Sequence, residues 1–184
     1  MAEGFVADDL ERAAIDARAV GADLELALSA NEASGPALAD LAARLGALDA
    51  RVARVLVYLA SDGFSPMSAL TPASVVRLVR RELEPVTGDV VFAGGTNQNF
   101  SDVNRARPTD PVMTGLCFST SPTVHAADDA SVMENIAGQG EVVRMARSFS
   151  GDRAICVSPI TLATRFGPYP AGPAAHCPGA KKIE

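Results

Sequence analysis

The chain has 184 residues, with 16 Lys and Arg against 22 Asp and Glu (formal net charge −6), 48% hydrophobic residues, 5% aromatic residues and no Trp. That apolar content excludes an intrinsically disordered chain. The acidic balance excludes a nucleic-acid or anionic-membrane surface, because binding phosphates needs a basic patch.

No apolar run approaches the roughly 20 residues of a membrane helix. The N-terminal stretch MAEGFVADDLERAAIDARAV is acidic and amphipathic, without the basic and apolar regions of a secretory signal. The three cysteines, Cys117, Cys156 and Cys177, form neither a C-x-x-C pair nor an even-numbered disulfide framework. Cys117 and Cys156 sit inside apolar runs and read as small core residues. A reducing cytoplasm fits, and the length allows one domain with a sizeable core.

Leu10, Ala13, Ala14, Ala17 and Val20 recur at helical spacing, so Asp8 to Val20 reads as a helix that Gly21 stops. Leu24 to Ala30 is a first strand. Leu38, Leu41, Ala42, Leu45 and Leu48 form the stripe of a second helix after Gly35-Pro36, and Val52 to Ala60 is a second strand. Thr71-Pro72 reads as N-cap and first helical position of a third helix, with Val75, Val76, Leu78, Val79 and Leu83 buried and Pro85 as its end.

Asp89 to Gly95 is a third strand and Thr114 to Ser119 a fourth. A long helix follows, capped by Asp129 or Ser131 with Ser131-x-x-Glu134 as a capping box. It reaches about Phe149 on a stripe of Val132, Ile136, Val143 and Ala146. Gly151 breaks it, Arg153 to Leu162 is a fifth strand, and GPYPAGPAAHCPGAKKIE is a Pro/Gly-rich tail without periodicity. The strands are near-continuous apolar runs, as in a parallel sheet covered by helices on its faces. An α/β architecture follows, either an open doubly wound sheet or part of a (β/α)8 barrel, with function at the ends of the strands.

The polar residues fall at those ends. After the third strand, Thr96, Asn97, Asn99, Asn104 and Arg105 offer amides and a guanidinium suited to the hydroxyls and carboxylates of a polyol-like ligand, or make an ordinary Asn-rich loop. After the fourth strand, His125 precedes Asp128 and Asp129 by three and four residues. This is a general base oriented by a carboxylate, or a structural His with Asp128 or Asp129 capping the next helix. Ser119 lies beside it, and Arg165 follows the fifth strand. Asn31-Glu32 and Ser61-Asp62 read as helix-start residues. His176, in the tail, looks incidental. One His without a second at ligand spacing leaves no metal site expected. Ala93-Gly94-Gly95-Thr96 has neither G-x-G-x-x-G nor a Walker Lys, and there is no G-x-S-x-G elbow, so no nucleotide cofactor and no serine hydrolase is expected.

GGTNQNFSDVNRARP, then CFSTSPTVHAADDASVMENIAGQGEVVRMARSF, then VSPITLATRF resemble the D-apionate lactonase family of bacterial sugar-acid catabolism. Thr96, Phe100, Asn104, Arg105, Pro122, His125, Asp128, Asp129, Ser158, Pro159, Thr161 and Arg165 match its blocks, which span about Val90 to Phe166. The resemblance implies a glycoside-hydrolase-like (β/α)8 barrel that hydrolyses a sugar-acid lactone such as D-apionolactone. On the matched positions, His125 oriented by Asp128 is the expected base. Asn104 and Arg105 are expected to bind the oxyanion or hydroxyls, and Thr96, Asn97, Asn99, Ser119 and Arg165 to line the substrate site.

Family members are longer, with a complete barrel, and a barrel usually takes about 250 residues. The chain is therefore expected to be a truncated piece, a partial TIM barrel of about five parallel strands over residues 1–166 with a non-barrel tail over 167–184. Its expected partner is a small-molecule sugar lactone, and its open edges permit self-association. The alternatives are a glycoside hydrolase on the same scaffold, which needs two facing carboxylates, a non-catalytic remnant, and a complete five-stranded doubly wound domain binding a small phosphorylated ligand, which the missing phosphate loop disfavours.

Overall fold

The structure, a computed structural model, describes residues 7–48, 50–60, 70–123 and 128–161. Its elements run α1 (Ala7–Val20), β1 (Leu24–Ala30), α2 (Gly35–Ala47), β2 (Val52–Leu59), α3 (Ala73–Thr87), β3 (Val91–Asn99), α4 (Phe100–Ala106), β4 (Gly115–Thr120), α5 (Asp129–Ser150) and β5 (Ala154–Ile160). The five strands form one sheet in the order β1-β2-β3-β4-β5, and every neighbouring pair is parallel. A doubly wound sheet reverses its strand order at a switch point. Here the order never reverses, so the described residues form part of a (β/α)8 barrel.

Successive side chains of each strand enter different cores, as the two-residue period of a strand requires. On β2, Val55 and Val57 pack with Phe92 of β3 and with Leu38, Leu41, Val75, Val76 and Leu83 of the covering helices. On β4, Leu116 and Phe118 pack with Val103 of α4 and Ala146 of α5. The opposite face of the sheet carries Leu56, Tyr58, Ala93, Cys117 and Cys156. In register across all five strands, that face presents Ala27, Leu56, Ala93, Gly115 and Ala154. A Cβ on Gly115 would lie 2.7 Å from Val91 Cγ1 and 3.0 Å from Ala93 Cβ. Four of the five residues in that row are Ala or Gly, while the outer face carries large ones, and this lets the sheet curl toward its inner face.

The curl is wide enough to bring the first strand to the last. In a flat sheet, four spacings would separate β1 from β5 by about 19 Å. Instead Ser158 Oγ of β5 donates to Glu25 Oε1 of β1 at 2.6 Å, and Tyr58 OH of β2 donates to the Ser158 carbonyl at 2.9 Å. Arg54 holds the other oxygen of Glu25. Burial works to raise the Glu25 pKa, but hydrogen bonds from Ser158 and Arg54 outweigh it and hold the carboxylate below its usual range. Burial, with Cys117 and Glu25 nearby, raises the Tyr58 phenol, which therefore stays a donor at neutral pH.

Several local expectations are corrected. Pro72, not Thr71, occupies the N-cap of α3, and Thr71 is buried between strands. Pro85 does not end α3, which runs to Thr87 and stops at Gly88 with φ 75°. A proline in a last turn forfeits one helical N–H but keeps a helical φ. Asp128 caps α5, one of the two caps expected beside His125, so the alternative starts at Asp129 or Ser131 and the Ser131-Glu134 box are not used. Of the stripe expected on α5, Ala146 is buried while Ile136 is 47% exposed. Only Leu10 and Ala14 of the first stripe are fully buried. Of the pair Asn31-Glu32 expected at the start of α2, Asn31 turns the chain by accepting at Oδ1 from Ala33 N at 2.9 Å, whereas the N-cap is Ser34 and Glu32 accepts from the Ser74 hydroxyl of α3. Ser61-Asp62 and the expected tail, 167–184, lie outside the described residues.

The depressed Glu25 pKa fixes a sign. Its stabilising contribution is present above the unfolded carboxylate value of about 4.3 and is lost as pH falls through the lower folded value. Thermal melts of wild type and Glu25→Gln are expected to differ by a constant at neutral pH. That difference should shrink as pH falls below about 4.

Candidate functional site

The C-terminal end of the sheet is shaped by an irregularity between β3 and β4. Gly95 pairs with Cys117, but the next pair is Asn99 with Ser119, so four steps of β3 oppose two of β4. The surplus residues make a bulge, a device that re-aims side chains at barrel rims. A Cβ on Gly95 would sit 1.9 Å from the Cys117 carbonyl oxygen, so only glycine fits. Within the bulge, buried Thr96 accepts at Oγ1 from the Gln98 amide at 3.1 Å. From β4, Ser119 Oγ donates to the Asn97 carbonyl at 3.2 Å.

Thr96, Asn97, Asn99 and Ser119 are thereby brought together at one end of two neighbouring strands. Asn99 stands directly before α4 and makes no side-chain cap bond to it. Asn104 and Arg105 lie on α4, a helix read from the sequence as loop. Asn104 accepts from Arg107 through its carbonyl at 3.1 Å and its Oδ1 at 3.4 Å. Arg105 pairs with Asp102 at 3.0 Å and its side chain is 76% exposed. His125 and Arg165 lie outside the described residues.

The chain on either side of His125 is anchored. Ser121 Oγ and Thr123 Oγ1 are 2.9 Å apart, and Asn135 Nδ2 of α5 donates to the Pro122 carbonyl at 2.8 Å. On the far side, Asp128 Oδ1 accepts from the Ser131 amide at 3.0 Å. That amide, first among several donors at the helix start, lowers the Asp128 pKa, so the carboxylate is ionised.

Sequence reasoning missed Thr71 and Tyr58. Thr71 resembles a cap because a proline follows it, and Tyr58 is hidden inside an apolar run. The Cys117 and Cys156 thiols are raised by burial, which disfavours the nucleophilic thiolate. Among the described residues no group of three or more His, Cys, Asp and Glu is placed to hold a metal ion. A cleft of 290 Å³ lined by Ala14, Arg18, Leu24 and Arg51 lies at the N-terminal end of β1, opposite the polar cluster.

The bulge makes a paired prediction. Gly95→Ala is expected to destabilise the protein by about 3 kcal/mol, because the added methyl meets backbone. Gly138→Ala, where nothing lies within 4 Å in the middle of α5, is expected to stabilise by about 0.5–1 kcal/mol. Urea denaturation of both variants checks the contrast.

Comparison with known proteins agrees with this geometry. A family model described as D-apionate lactonase, TIM barrel domain, matches residues 1–183. The D-apionate lactonase of Brucella anthropi is 32% identical over 78 residues, covering 42% of this chain and 13% of that relative. The match therefore takes in a small part of the relative's length. No solved structure matches the chain significantly. An unreversed parallel strand order with polar side chains gathered at the strand ends, and a family model spanning nearly the whole chain, place the protein in the D-apionate lactonase TIM barrel family.

Proposed function

We propose that the protein hydrolyses a sugar-acid lactone of the D-apionolactone kind in bacterial carbohydrate catabolism, or contributes this part of the barrel that does so. The observation that carries the reading is the cluster of Thr96, Asn97, Asn99 and Ser119 at the C-terminal strand ends of a chain in this family. That end is where barrel enzymes keep their chemistry. Neutral amides and hydroxyls suit a polyol lactone, which offers hydroxyls and a carbonyl rather than a charge.

In this reading His125 takes a proton from water, and the resulting hydroxide attacks the lactone carbonyl carbon. The tetrahedral oxyanion is held by amide donors from Asn97, Asn99 or Asn104. It collapses with cleavage of the acyl C–O bond, and the ring alkoxide takes the proton from His125, leaving the open-chain hydroxy acid. Asp128, held at the head of α5 by Ser131, keeps a carboxylate three residues from His125. Arg105, paired with Asp102, and Arg165 bind the product carboxylate or stay solvated.

On this reading the barrel unit takes in residues 1–166 and the Pro/Gly-rich residues 167–184 are a non-barrel tail, while the family model runs on to residue 183. Among the described residues the outer main-chain edges of β1 and β5 pair with no further strand, which supports pairing with further strands or with a second copy. A reducing, cytoplasmic setting is supported by the free, buried Cys117 and Cys156. No helix among the described residues is long and apolar enough to cross a membrane.

Acid release from an aldonolactone, followed by pH-stat, tests the reading. Wild type is expected to release acid from the lactone and nothing from an aryl glycoside, and His125→Ala to lose roughly 10²–10⁴-fold in kcat. Full turnover by His125→Ala would remove the proposed base.

A further inference from the structure

We infer that Thr71 is a positioning residue for the substrate face: it pins the β3 bulge, and with it Asn97 and Asn99, from the β2 side. The inference rests on the lactonase reading for what the bulge serves, but the pinning stands on geometry alone. Pairing between β2 and β3 runs from Arg54–Val91 to Val57–Gly94 and goes no further. Just past that point the two strands part, and Thr71 enters between them. Its Oγ1 is 2.7 Å from the Val57 carbonyl and 3.1 Å from the Gly95 carbonyl, and its amide donates to the Gly95 carbonyl at 2.8 Å. Thr71 is 3% exposed, so these bonds form away from water.

Thr71 therefore supplies the donors that a continuing strand would have supplied. Gly95, its partner, is the residue at which β3 leaves the register of β4. On the other side of the bulge, the Ser119 hydroxyl holds the Asn97 carbonyl. The segment Thr96–Gln98 is thus fixed between two buried hydroxyls, one from the loop after β2 and one from β4. Neither hydroxyl caps a helix, and the cap of α3 is already taken by Pro72. A misplacement of about 1 Å at a site can cost roughly 100-fold in rate, so a side chain that sets the height of the bulge acts on turnover without touching substrate.

Thr71→Val keeps the shape and removes the hydroxyl, whereas Thr71→Ser keeps the hydroxyl. In the full chain, Thr71→Val is expected to speed hydrogen exchange of the Gln98 amide at least tenfold relative to the Leu56 amide within β2. It is also expected to lower kcat/KM for an aldonolactone at least tenfold, and Thr71→Ser to restore most of both. Unchanged exchange at Gln98, or an equal rise at Gln98 and Leu56, would overturn the pinning role. Full lactone turnover by Thr71→Val would overturn the link to the substrate face. A wild-type chain that opens no lactone would defeat the lactonase reading by itself, and the exchange comparison would then decide whether Thr71 holds the bulge.

Discussion

Ala27, Leu56, Ala93, Gly115 and Ala154 stand side by side across five parallel strands, and the space available on that inner row constrains everything else. Four of the five are Ala or Gly, while the outer face carries Val55, Val57, Phe92, Leu116 and Phe118. A sheet with bulk on one face and little on the other curls toward the lean face. The helices then cover the outside, and the strand ends converge on the inside. Tyr58, Ser158 and Glu25 join β2, β5 and β1 across that interior, which a flat sheet would not allow.

The same economy of side chains operates at the rim. Gly95 lets β3 approach the Cys117 carbonyl and then depart from it, and the departure produces the bulge bearing Asn97. Thr71 and Ser119 keep the bulge from relaxing into regular pairing. Beyond β4, Asn135 of α5 holds the Pro122 carbonyl and the Ser131 amide holds Asp128. Family membership and this clustering point to the same end of the molecule, and lactone opening is the chemistry proposed for it.

The strands were legible because covered parallel strands are near-continuous apolar runs, as VARVLVYL is over Val55 to Tyr58. LELALSA was legible by alternation, its leucines packing on one core and Glu25, Ala27 and Ser29 exposed on the other face. The strand order was not legible, since the same βα alternation serves both barrel and doubly wound sheets. α4 was missed because Asn, Ser, Asp and Arg dominate its composition. Its helical signal is only Phe100 and Val103, which pack with Phe118 and Phe149. On α5 the apolar residues do not predict burial: Met133 is 67% exposed, and the helix meets the sheet chiefly through Ala146 and Ser150 at its C-terminal end. Thr96, Asn97, Asn99 and Ser119 were found from residue type at strand ends. Thr71 was not, because its sequence context suits a cap while its partners lie 14 and 24 residues away.

The central claim is that the sheet curls far enough for β2 and β5 to meet inside the barrel. Nuclear Overhauser contacts from the Tyr58 ring protons in the isotope-labelled chain test it most directly. Contacts to the α-protons of Ser158 and Pro159 are the predicted result. A Tyr58 ring with contacts only to β1 and β3, and none to β5, would mean an open sheet and would contradict the barrel.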